Sequence, residues 1–92
     1  MSVAAMTRRV TILNKRGLHA RAAAKFVKLA AQFQAEITVT KDGTTVSGRS
    51  IMGLMMLAAS PGTEIEIGAA GADAAAALDA IVALIAAKFD ED

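Results

Sequence analysis

An α+β fold in the order βαββαβα, an antiparallel sheet with three helices on one face, follows from three features of this 92-residue sequence. Short runs of period two alternate with runs of helical period. Asp42-Gly43 lies between two alternating runs, where a tight hairpin makes the pair antiparallel. The helical runs carry apolar stripes that can be buried together against one face of a sheet. The length allows one domain, residues 1–92, with one modest core.

Thr7 to Leu13 reads as the first strand, with Val10 and Ile12 on one face and Arg9 and Thr11 on the other. Asn14 to Gly17 is a loop. From Ala20 to about Gln34 the period is helical, and Ala23, Phe26, Val27, Ala30 and Phe33 form the stripe. Glu36 to Lys41 and Thr44 to Ser47 are the two arms of the hairpin, with Ile37 and Val39 inward. Ser50 is placed to cap a short helix from Ile51 to about Ala58. Thr63 to Ile67 is the fourth strand and Gly68 to Gly71 a loop. Asp73 is the expected cap of a last helix to about Phe89, with Leu78, Ile81, Val82, Ile85 and Phe89 inward. Residues 1–6 are expected to be a disordered extension.

Composition narrows the function. There is no cysteine, so disulfides and thiolate metal sites are excluded. No targeting segment is visible, and the apolar run Ile51 to Ala59 is far shorter than the roughly 20 residues of a membrane span. A cytoplasmic protein without membrane insertion is the expectation. The net charge of +1 conceals an asymmetry: residues 1–35 hold seven basic side chains and no acid, whereas the other residues hold all nine acids. The first third is suited to an anion, either a phosphate group or an acidic protein surface. A solvated helix face is the alternative reading of the charges.

The one histidine, His19, stands at the start of the first helix in Gly17-Leu18-His19-Ala20-Arg21. Unpaired N–H groups at a helix start favour an anion there and, with Arg16 and Arg21 nearby, favour the uncharged, nucleophilic form of the ring. Arg21 offers a forked, permanently charged donor to phosphate oxygens. No acid near in sequence can act as a base, and no second histidine can complete a metal site. Such a site can hold a phosphoryl group but lacks the parts to catalyse much alone. A histidine that only caps the helix remains the competing reading of these residues.

Gly17 to Arg21, followed by Ala23 and Lys25-Phe26-Val27, resembles the active-site signature of HPr, the histidine phosphocarrier of the phosphoenolpyruvate-dependent phosphotransferase system. Arg49-Ser50-Ile51-Met52-Gly53-Leu54-Met55 resembles the regulatory serine segment of that family. Pro61 to Ile65 and Gly71-Ala72-Asp73 are similar to its last strand and last helix start. The resemblance implies an open-faced β-sandwich with strand order 1-4-2-3. It implies phosphorylation of His19 on Nδ1 by phospho-enzyme I, with Arg21 steadying the phosphate, and transfer to an enzyme IIA domain. It implies Ser50 as the target of an HPr kinase/phosphorylase where that regulator exists. Ala22 departs from the proline common after the arginine, and Arg49 stands where lysine is often found.

Partner contacts are expected from Arg16, Ala20, Lys28, Ile51, Met52 and Met55. In the short second helix, Leu54 and Leu57 are expected in the core and Ile51, Met52 and Met55 partly exposed, a pliable surface for successive partners. Ser50 as a simple helix cap competes with its regulatory reading. A monomer without metal or cofactor is expected. The rival functions are an acylphosphatase-like enzyme, for which Asn14 is the only asparagine on offer, and an RNA-binding module. The latter lacks strand aromatics for base stacking, so nucleic acid is not an expected partner. Within the family, the nitrogen-regulatory branch is the alternative to sugar uptake.

Overall fold

Alternation along the strands sends Ile37, Val39, Ile65, Ile67 and Ala69 to one face of a sheet, where all five are buried. Leu78, Ile81 and Ile85 from the last helix, Phe26 from the first and Leu54 from the second close over them. The computed structural model describes residues 6–91. Its elements are β1 (Met6–Thr11), α1 (Ala20–Ala30), β2 (Glu36–Lys41), β3 (Thr44–Ser47), α2 (Ile51–Met56), β4 (Glu64–Ala70) and α3 (Ala74–Ala86). The strands form one antiparallel sheet in the order β1-β4-β2-β3, as the sequence resemblance implied.

Two turn chemistries act as expected. Asp42 and Gly43 have φ of 49° and 82°, as a two-residue hairpin with both central residues left-handed requires. Ser50 caps α2, its Oγ accepting from the Gly53 N–H at 2.9 Å.

Other boundaries differ for physical reasons. α1 stops at Ala30 rather than near Gln34, because Gln32 and Phe33 donate to carbonyls only three residues back and the coil tightens into turns. β4 runs through the expected loop to Ala70, pairing Gly68 with Thr7 and Thr38. A Cβ on Gly68 would lie 2.6 Å from the Thr38 Oγ1, so glycine lets the strand continue there. Asp73 stands at the start of α3 but makes no cap bond; its Oδ2 accepts instead from the Gln34 N–H at 2.8 Å. Met6 belongs to β1, not to the expected extension, whose residues 1–5 lie outside the described residues.

The largest departure follows α3. The helix ends at Ala86, and Lys88, Phe89 and Asp90 form one left-handed turn with φ of 56°, 54° and 59°. Left-handed backbone costs a non-glycine residue roughly 1–2 kcal/mol. Full burial of the Phe89 ring and a 2.6 Å hydrogen bond from Lys25 Nζ to the Phe89 carbonyl hold the turn in place. Phe89 therefore joins the core, as its place in the apolar stripe predicted, but from outside the helix.

The loop before α1 is fixed from the other side. Gly17 has φ of 64°, and a Cβ on it would lie 2.5 Å from the Ala59 carbonyl oxygen. That same oxygen accepts from the Leu18 N–H at 2.9 Å. Gly17→Ala is predicted to lose about 1–3 kcal/mol of stability, from backbone strain and the forced retreat of Ala59. Urea denaturation measures this; a loss under about 0.5 kcal/mol, ordinary for a neutral surface change, would contradict it.

Candidate functional site

The mouth of α1 collects side chains from both ends of the sequence. His19 is the N-cap of α1, and its Nδ1 accepts from the Arg21 N–H at 3.3 Å. The other ring nitrogen, Nε2, is hydrogen-bonded to the Glu91 carboxylate. Glu91 Oε1 in turn accepts from Asn14 Nδ2 at 3.0 Å, and the same Nδ2 donates to the Gly17 carbonyl at 2.7 Å. The partners assign the ring: an ionised carboxylate only accepts, so Nε2 carries the hydrogen, and Nδ1 presents its lone pair.

Sequence reasoning missed Asn14 and Glu91. No acid near in sequence reaches the ring, but the left-handed turn after α3 delivers a carboxylate from 72 residues away. The available signal was charge: the acids Asp90, Glu91 and Asp92 complement the basic first third. Asn14 is fully buried and its Oδ1 has no partner among the described residues. The amide is therefore present for its two donor contacts, which offset an unsatisfied acceptor.

Partial burial works to raise the Glu91 carboxyl pKa. The hydrogen bond from Asn14, the contact with His19 and the positive charge of Arg16 outweigh it and hold Glu91 below the ordinary carboxylate range. Lys15, Arg16, Arg21 and Lys25 line a cleft of about 330 Å³ with Asp90 and Glu91. Arg16 also lines a smaller hollow with Leu18, His19, Ala58, Ala59 and Ser60. Arg21 and Ala20 are exposed on the first turn of α1, and Lys28 is exposed in its last turn.

The second expected surface lies on α2. Leu54 and Leu57 are buried, while Ile51, Met52 and Met55 are exposed, with Met52 at 73%. Met56, at 78%, joins them and was not anticipated. The four line an apolar hollow of about 470 Å³. α1 packs against α2, and the Leu18–Ala59 hydrogen bond ties the loop after α2 to the loop that carries His19.

A family profile described as "PTS HPr component phosphorylation site" matches residues 6–87, nearly all of the described chain. The chain belongs to the HPr family. The phosphocarrier protein HPr of Neisseria meningitidis serogroup A is 54% identical over 82 residues, covering 89% of this chain and 92% of that protein. The phosphocarrier protein NPr of Shewanella violacea is 52% identical, covering 94% of each. Among solved structures, HPr-C-His from Thermoanaerobacter tengcongensis superposes with a TM-score of 0.91 at 44% identity, covering 95% of this chain and 98% of that one. The HPr fold and the phosphocarrier role in the phosphotransferase system apply to this chain on that basis.

The depressed Glu91 pKa makes its contribution to stability depend on pH. The folded value lies below the unfolded one, so the contribution is complete above the unfolded glutamate value of about 4.3. It is lost as pH falls through the lower folded value. The stability gap between parent and Glu91→Gln should therefore be constant near neutrality and close in acid. Urea midpoints of both proteins from pH 7 down to pH 3 test this; a gap that widens on acidification contradicts it.

Proposed function

We propose that the chain accepts a phosphoryl group from phospho-enzyme I on His19 Nδ1 and passes it to an enzyme IIA domain. The observation that carries this reading is the orientation of the ring. Nδ1, free of a proton, faces the N–H groups at the start of α1, where a phosphoryl dianion meets donors and the positive end of the helix dipole. Arg21, exposed beside it, is suited to pair with the phosphate oxygens. Catalysis is shared with the partners, and the site itself binds and presents the group. Family membership supports enzyme I and IIA domains as those partners.

Docking is assigned to Arg16, Ala20 and Lys28 around α1 and to Ile51, Met52 and Met55 on α2, with Met56 added. A basic rim beside an exposed methionine surface fits partners that are acidic and bind in turn. Ser50 is proposed as the regulatory site. Phosphate there adds about −1.5 to −2 charge at the start of α2, next to the apolar hollow, and disfavours an acidic partner while the helix start tolerates it. An HPr kinase/phosphorylase is the matching regulator. The protein is proposed to work in the cytoplasm as a monomer, since one chain completes the site; no described helix is long and apolar enough to cross a membrane. The nitrogen-regulatory branch is the second reading, favoured by 52% identity to a relative named NPr beside 54% to one named HPr.

Incubation with phosphoenolpyruvate and enzyme I tests the proposal. The parent should gain one acid-labile phosphate, and His19→Ala should fold normally and gain none. Met52→Glu should raise the half-saturating concentration for enzyme I by roughly tenfold while its melting temperature stays close to the parent's. Labile phosphate on His19→Ala would overturn the assignment of the acceptor.

A further inference from the structure

The function proposed above leaves Glu91 unused, although it is the carboxylate that meets the reactive ring. We infer that Glu91, held by Asn14, is a positioning residue: it keeps the His19 proton on Nε2 and balances the charge the ring acquires when Nδ1 takes a phosphoryl group. The inference rests on His19 being the phosphoryl acceptor.

Three features place Glu91 rather than leave it to chance. Phe89 is fully buried and anchors the left-handed turn two residues before it. Lys25, on α1 itself, donates to the Phe89 carbonyl and ties that turn to the helix that His19 caps. Asn14 is buried, and its one amide nitrogen bridges the carboxylate to the Gly17 carbonyl in the loop before α1. The side chains of His19 and Glu91 are 16% and 13% exposed, so water competes little for their contact. A carboxylate fixed behind an imidazole sets its tautomer and steadies its cationic form.

The chemistry balances without moving a proton. The Nδ1 lone pair bonds to phosphorus as the P–N bond of the donor phosphohistidine breaks, and that electron pair stays on the donor nitrogen. His19 keeps its Nε2–H, so the phosphorylated ring is an imidazolium facing the Glu91 carboxylate. In onward transfer the P–Nδ1 bond breaks, its electrons return to Nδ1, and the leaving group is neutral imidazole. Without an ordered partner on Nε2, part of the population would carry its proton on Nδ1, where it blocks attack.

Glu91→Gln separates this role from simple packing. Its amide oxygen can still accept from Asn14, but its NH₂ then faces Nε2, donor against donor, and favours the proton on Nδ1. Nitrogen NMR of the free protein should show protonation moving from Nε2 to Nδ1. The maximal rate of phosphorylation by enzyme I should fall roughly 10–100-fold, as for other residues that orient a functional histidine. The half-saturating concentration should change little, and Glu91→Asp should recover part of both the tautomer and the rate. Circular dichroism and melting confirm that the variants are folded. An unchanged tautomer in Glu91→Gln overturns the inference, whether the rate is parental or the loss lies in affinity for enzyme I. A parent protein that takes no phosphate on His19 overturns the underlying reading instead.

Discussion

A helix start leaves N–H groups that nothing within the helix can satisfy. In this chain the ring of His19 takes one of them through Nδ1, so the residue that caps α1 is also the residue proposed to react. Capping and reactivity use the same lone pair. In the proposed transfer phosphorus takes that lone pair, the N–H group is released toward the phosphate oxygens, and the donor that organised the free site serves the loaded one. On the proposed reading, histidine as cap and histidine as nucleophile, competing readings of the sequence, are two states of one arrangement.

The rest of the site keeps that ring in place. Gly17 lets the loop pass against the Ala59 carbonyl, at a left-handed φ and a separation that a side chain would exceed. From the other side, the turn at Lys88 to Asp90 accepts three strained residues to bring Glu91 to Nε2. Strain of this kind persists where the surroundings over-determine it, here through buried Phe89, Lys25 and Asn14. Both ring nitrogens therefore have partners, and the exposed donor groups of Arg16 and Arg21 stay available to an incoming phosphate.

What the sequence disclosed was local in origin. The alternation of Ile37 and Val39, the Asp42-Gly43 turn and the Ser50 cap depend on neighbours a few residues away, and each formed as expected. His19 at a helix start was legible for the same reason, and so was the exposed side of α2. Glu91 was not, because its meeting with His19 depends on how α3 packs and on a turn of non-glycine residues that no propensity favours. Asn14 looked like an ordinary loop residue until the fold buried it between Gly17 and Glu91. Asp73 had a cap's identity and place, yet a long-range partner, the Gln34 N–H, claimed its carboxylate.

The central claim is that Nδ1, facing the start of α1, is the atom that receives phosphorus. Nitrogen and phosphorus NMR of the protein phosphorylated by phosphoenolpyruvate and enzyme I addresses it directly, since coupling to phosphorus identifies the bonded ring nitrogen. The account predicts phosphorus on Nδ1 of His19, with Nε2 still protonated and in contact with Glu91. Phosphorus on Nε2 would require the ring to leave both its partners, and would contradict it.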